Sequence, residues 1–122
     1  MSSITLYGYR QCSTCRKAQQ WLAARGLEPA MRPIRDQPPT AAELKRVLKA
    51  LGGQRKRLLN TSSASYRNWP LKERLGELSD DELIAALRAD GNLIKRPVLL
   101  TATGATTGFK EDEWATLLEA EA

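Results

Sequence analysis

Histidine is missing from all 122 residues. That absence removes Ser-His-Asp and Cys-His catalysis and every His-ligated metal site. Cysteine occurs only twice. Two thiols are too few for a disulfide-stapled scaffold, or for a four-thiolate zinc site within one chain. No apolar run approaches the roughly 20 residues that a membrane-spanning helix needs. The opening segment "MSSITLYGYRQC" lacks the basic start, apolar middle and small-residue cleavage site of a secretory leader. The expectation is a cytoplasmic protein whose thiols stay reduced at rest. Its chemistry must rest on thiol, carboxylate, hydroxyl or cationic groups.

What is present is ordinary in bulk: 42% apolar and 27% charged residues, the composition of a globular protein. The length suits a single domain over 1–122 with one real core. The net charge of +5 admits nucleic acid, an acidic partner or a small anion as ligand. The cations are dispersed, however, from Arg10 to Lys110, and alternate with acids after Glu73. That is the pattern of a solvated basic surface.

Residue types and periodicity divide the chain into β-α-β, then helices, then β-β-α. "ITLYGY" (4–9) reads as a strand. Ser13 to Arg25 reads as a helix with Ala18, Trp21 and Leu22 on its apolar face, ended by Gly26. "EPAMRPIR" (28–35) is a short strand whose two prolines suit a sheet edge. In "PPTAAELKRVLKALGG", Thr40 caps a helix and Glu43 completes the capping box. Leu44, Val47, Leu48 and Leu51 form its stripe, and Gly52 stops it. The middle reads as helical pieces, the clearest starting at Ser79 with Leu83, Ile84 and Leu87 on one face and three acids at the positive end of its dipole. Strands over 98–101 and 106–109 flank a turn at Gly104. An amphipathic helix with Trp114, Leu117 and Leu118 inward closes the chain. The first two strands, joined by a helix, should be parallel, and the last two antiparallel. The prediction is an α/β, thioredoxin-like fold: a mixed four-stranded sheet with a helical insert between its second and third strands.

Both cysteines fall in "GYRQCSTCRKAQQWLAARG", where the first strand gives way to the first helix. Unpaired N–H groups at a helix start favour an anion, and the thiolate is the reactive form of cysteine. Arg10, Arg16 and Lys17 add positive charge. Cys12 is therefore the expected nucleophile. Cys15, one turn on, is expected to be less exposed and within reach for a disulfide. A CxxC also fits two small core residues, or half of a zinc site completed by another chain, but its place in a βαβ unit favours redox chemistry. In "NLIKRPVLL", Pro97 precedes a strand, where a cis bond would bring its backbone against the thiol loop. Arg96 would then aim a cationic fork at the anion cradle.

The segments "YGYRQCSTCRKAQQWL", "LLNTSSASYR", "DGNLIKRPVLL" and "GFKEDEW" together resemble the arsenate reductase-like branch of the thioredoxin fold. That branch holds glutaredoxin-coupled arsenate reductases and the Spx/MgsR redox regulators. The resemblance spans essentially the whole chain. It implies catalytic roles for Cys12, Cys15 and Arg96, and oxyanion binding by Thr14, Arg16, Asn60 and Lys110, with Pro97 structural. No metal and no bound cofactor are implied. The implied reaction reduces arsenate to arsenite through a Cys12 thiol-arsenate adduct, which Cys15 could resolve. An external thiol reductant, glutathione/glutaredoxin or thioredoxin, then restores the dithiol, so a redox protein is a partner. Four positions depart from the reductases: they carry a serine where Cys15 stands and take their second thiol from glutathione, and three further positions differ. Asn60 stands where they carry arginine, Lys110 where another arginine falls, and Gly8 where they carry a histidine before the nucleophile. Asn60, Thr61, Ser62 and Ser63 can still hydrogen-bond an oxyanion, and Arg67 can add charge. The alternative implied by the same branch is a regulator that binds RNA polymerase through a CxxC-switched surface. A small-thiol reductase without an oxyanion substrate is a further reading. No direct DNA-recognition motif is present, and no membrane association is expected.

Overall fold

A computed structural model describes residues 4–120. Strand β1 (Thr5–Gly8) leads into helix α1 (Ser13–Ala23), strand β2 (Met31–Pro33) and helix α2 (Ala41–Ala50). The insert follows: a 3-10 turn over Arg55–Leu58, the one-turn helix α3 (Ala64–Arg67), a 3-10 stretch over Lys72–Glu77, helix α4 (Asp80–Ala89) and a 3-10 turn over Gly91–Leu93. Strands β3 (Val98–Leu100) and β4 (Ala105–Thr107) and helix α5 (Glu111–Glu119) complete the chain. The sheet order is β2-β1-β3-β4. Strands β1 and β2 are parallel, and the other two pairs antiparallel. The mixed sheet, the edge position of β2 and the insert between β2 and β3 agree with the sequence.

Alternation along the strands separates two apolar layers. Leu6 and Leu99 face α1 and α5, packing with Ala18, Leu22 and the fully buried Trp114. Tyr7, Val98 and Leu100 face the other side, where Leu44, Val47 and Leu48 of α2 and Leu83, Ile84 and Leu87 of α4 cover them. Both capping boxes are formed. The Thr40 and Ser79 hydroxyls accept from the backbone N–H of Glu43 and Glu82, whose carboxylates accept from the cap N–H groups in return. Among the described residues no helix is long and apolar enough to cross a membrane.

Several elements are shorter than their sequence signals. Helix α1 stops at Ala23 rather than Arg25 because Gly26 takes φ +76° and the Leu27 N–H folds back to the Leu22 carbonyl at 3.0 Å. Strand β2 keeps only three of the eight expected residues. Strand β4 begins one residue early and ends at Thr107. There Gly108, at φ +71°, swings the chain away from the sheet, so that Phe109 packs edge-on against Trp114 at 4.9 Å. Leu117 and Leu118, expected inward, are half-buried against the α1 layer. The closing residues 121 and 122 lie outside the described residues.

Candidate active site

The Cys12 thiol is the N-cap of α1. Its sulfur accepts the Cys15 backbone N–H at 3.3 Å, where a serine or threonine hydroxyl ordinarily sits. The turn that places it is closed by the Cys12 N–H on the Tyr9 carbonyl at 2.9 Å. Cys12 is partly exposed and Cys15 fully buried, and both are free thiols. Burial by itself pushes the Cys12 thiol up. Hydrogen bonds from the Cys15 thiol and N–H, the Arg96 charge and the Thr14 N–H outweigh that, and the net effect holds Cys12 below an ordinary thiol. Cys15 is pushed up to about 12, first by burial and then by its hydrogen bond to Cys12 and the charge there. The pair therefore consists of one thiol that ionises readily and one that keeps its proton.

Arg96 reaches the site from the segment before β3. That segment is tied to the insert by a bridge between Leu59 and Ile94 and by two bonds, Asn60 N–H to the Leu93 carbonyl and Lys95 N–H to the Leu58 carbonyl, both 2.8 Å. The Arg96–Pro97 peptide is cis, as the sequence suggested. These contacts bring residues from three distant parts of the sequence to one cavity of about 290 Å³. Its walls are Cys12 and Thr14 from α1, Asn60, Ser62 and Ser63 from the insert, and Lys95 and Arg96 before β3. The Ser63 hydroxyl is already committed: it donates to the Asn60 carbonyl at 2.8 Å and caps α3. Arg96 Nη1 is buried with no hydrogen-bond partner among the described residues. A guanidinium nitrogen in that state is costly unless a ligand completes it.

Cys12, Thr14, Asn60 and Arg96 thus meet as expected. Two candidates do not join them. Arg16 lies exposed on α1 and lines neither this cavity nor its neighbour. Among the leading causes that lower the Cys12 thiol, the one neighbouring charge is that of Arg96. Lys110 borders a second cavity of about 380 Å³, with Arg57, Thr107, Gly108 and Phe109; Thr14, Lys95 and Arg96 form the wall shared by both. The turn at Gly108 makes Lys110 the N-cap of α5, where its ammonium lies 3.8 Å from Glu113. Arg67, the possible extra charge, is exposed and donates to the Ser62 carbonyl at 2.8 Å. Sequence reasoning did not single out Arg57 or assign Lys95 to the site. The "KRP" triplet held the signal for Lys95. Arg57 gave none, because only the fold brings it against Glu113 at 3.0 Å.

Gly8 leaves room for the same packing. A Cβ there would sit 2.7 Å from Met31 Sδ and 3.0 Å from Cys15 Sγ. The buried second thiol occupies space that a side chain at position 8 would need.

A sequence model of the ArsC family matches residues 7–117. The chain belongs to the ArsC family. YusI of Bacillus subtilis (strain 168) is 44% identical over 112 residues, 92% of this chain and 95% of that protein. The regulatory protein MgsR of the same strain is 29% identical over 90% of this chain and 86% of its own length. A solved structure described as a possible arsenate reductase from Streptococcus mutans UA159 superimposes with a TM-score of 0.83 at 34% identity, covering 94% of this chain and 99% of that one. The thioredoxin-like fold of the ArsC family is therefore that of this chain.

Proposed function

We propose that this ArsC-family protein is a thiol-dependent reductase that converts arsenate to arsenite. The observation that carries the reading is the buried, unpaired Arg96 Nη1 in a cationic cavity that also holds the Cys12 thiol. A tetrahedral oxyanion supplies the missing acceptors, and places its central atom beside the sulfur. Cys12 thiolate attacks arsenic(V). A sulfur–arsenic bond forms and an arsenate oxygen, protonated, leaves as water. Arg96, Lys95, the Asn60 side chain and the N–H groups opening α1 hold the remaining oxygens. Cys15 then attacks the Cys12 sulfur. The sulfur–arsenic bond breaks, its electron pair reduces arsenic to the trivalent state, and arsenite leaves behind a Cys12–Cys15 disulfide. Two thiols of an external reductant, glutathione with glutaredoxin or thioredoxin, restore the pair.

The raised pKa of Cys15 fits its place as the second nucleophile. While Cys12 is a thiolate, its charge and hydrogen bond keep the Cys15 proton in place. Arsenylation removes that thiolate, so Cys15 becomes easier to ionise when it is needed. The test is arsenate turnover with each reductant system. Wild-type protein should turn over, Cys12→Ser should lose all activity because a hydroxyl cannot replace the thiolate, and Cys15→Ser should stall as an arsenylated adduct or depend on added glutathione. Absence of wild-type turnover with every donor overturns the reading.

A second reading draws on the likeness to MgsR: a regulator that binds RNA polymerase and is switched by the same CxxC. A pull-down of RNA polymerase with reduced and oxidised protein separates the two. Redox-dependent capture without arsenate turnover supports the regulator.

A further inference from the structure

Tyr9 is joined to several working parts of this site. Its carbonyl accepts the Cys12 N–H at 2.9 Å. Its ring lies beneath two guanidinium groups: Arg96 Cζ is 5.3 Å from the ring centroid and Arg35 Cζ 3.9 Å. The hydroxyl is anchored as well. It accepts from Arg35 Nη2 at 2.8 Å and donates to Gln11 Oε1 at 2.9 Å. Arg96 Nη1, by contrast, has no hydrogen-bond partner among the described residues.

A guanidinium with a free buried nitrogen needs something other than hydrogen bonds there to fix its plane. An aromatic face does this without consuming any donor, because the attraction runs to the ring's π cloud. An acidic partner would hold Arg96 more firmly, but would also neutralise the charge that an anion and a thiolate require. We propose that Tyr9 is the positioning residue for Arg96: its ring, held by Arg35 and Gln11, presents the guanidinium to the cavity with its hydrogen-bonding capacity intact. This deepens the oxyanion reading and rests on it for the identity of the ligand. Its role is to act through Arg96 rather than on the reacting atoms.

The experiment is a double-mutant cycle with two readouts on the reduced protein: the pH midpoint of Cys12 alkylation by iodoacetamide, and protection of Cys12 from alkylation by arsenate. Tyr9→Leu should weaken arsenate protection about three- to five-fold, the size of an exposed cation–π contact, and should raise the alkylation midpoint. Tyr9→Phe keeps the face and should stay within about two-fold of wild type. Arg35→Ala, at an exposed position, should shift both readouts in the same direction as Tyr9→Leu but by less. In an Arg96→Ala background, Tyr9→Leu should change neither. Equal effects of Tyr9→Leu with and without Arg96, or no effect of Tyr9→Leu and Arg35→Ala on either readout, overturn the proposal. If arsenate fails to protect wild-type Cys12, the oxyanion reading falls, and Tyr9 is then judged by the alkylation midpoint alone.

Discussion

Arg96 differs from the other cations around the thiol in what it has left to give. Arg57 spends its fork on Glu113 and Thr106, and Lys110 leans toward the same carboxylate. Arg96 keeps a buried nitrogen unpaired while its charge lowers the Cys12 pKa. Lysine at this position would preserve the charge but not the planar pair of donors. Arg96→Lys is therefore expected to raise the KM for arsenate about ten-fold, equivalent to about 1.4 kcal/mol and the loss of one charge-assisted hydrogen bond. The Cys12 alkylation midpoint should move much less. Steady-state kinetics with an uncharged reductant such as dithiothreitol checks the first, and alkylation the second. A KM unchanged by the substitution would remove Arg96 from the anion site. At this scale the sequence was legible where chemistry is local. Cys12, Thr14 and Cys15 share one turn of backbone, so strand-then-helix order was enough to place them. Lys110 and Arg16, which the family resemblance had offered, do not line the Cys12 cavity. The position of Lys110 depends on the left-handed turn at Gly108, and that of Arg16 on the exposed side of α1.

The elements that carry the site differ in how they are held. Helix α2 has its own stop and start signals, Thr40, Glu43 and Gly52, and these sufficed to draw it from sequence. The Glu43 carboxylate also accepts the Tyr7 hydroxyl at 2.7 Å, so the cap of α2 is tied to β1. Burial would raise the Glu43 pKa, but the Thr40 N–H, Tyr7 hydroxyl and Arg32 charge win and lower it. Its contribution to stability is thus present above the unfolded carboxylate pKa and lost as pH falls through the lower folded value. Thr40→Ala is expected to cost about 1 kcal/mol in urea unfolding at neutral pH. It should leave Cys12 alkylation unchanged, since α2 packs on the sheet face opposite α1. A shift in Cys12 reactivity would show that the cap acts on the site. The insert was less legible. Its short turns lack a 3.6-residue stripe long enough to read, and their positions follow from long-range bonds such as Asn60 to Leu93 and Arg55 to the Leu75 and Leu78 carbonyls.

At the scale of the whole molecule, the two thiols give stability a pH dependence with two arms. Cys12 has a folded pKa below its unfolded one, so its thiolate stabilises the fold fully above the unfolded thiol value, roughly 8.5, and that gain fades as pH falls through the folded value. Cys15 has a folded pKa near 12, above the unfolded one. Between roughly 8.5 and 12 the unfolded chain releases a proton that the folded chain keeps, and stability falls by up to about 1.4 kcal/mol per pH unit. In reducing buffer the stability advantage of wild type over Cys15→Ala should therefore shrink as pH rises above about 8.5. A pH-independent difference between the two proteins would contradict the burial of an un-ionised Cys15. All of the chemistry proposed here depends on the opposite behaviour of Cys12. The direct measurement is the rate of iodoacetamide alkylation of reduced Cys15→Ser protein as a function of pH. A single midpoint clearly below that of free cysteine is expected, moving upward in an added Arg96→Ala substitution. A midpoint at or above roughly 8.5, or one indifferent to Arg96, would contradict it.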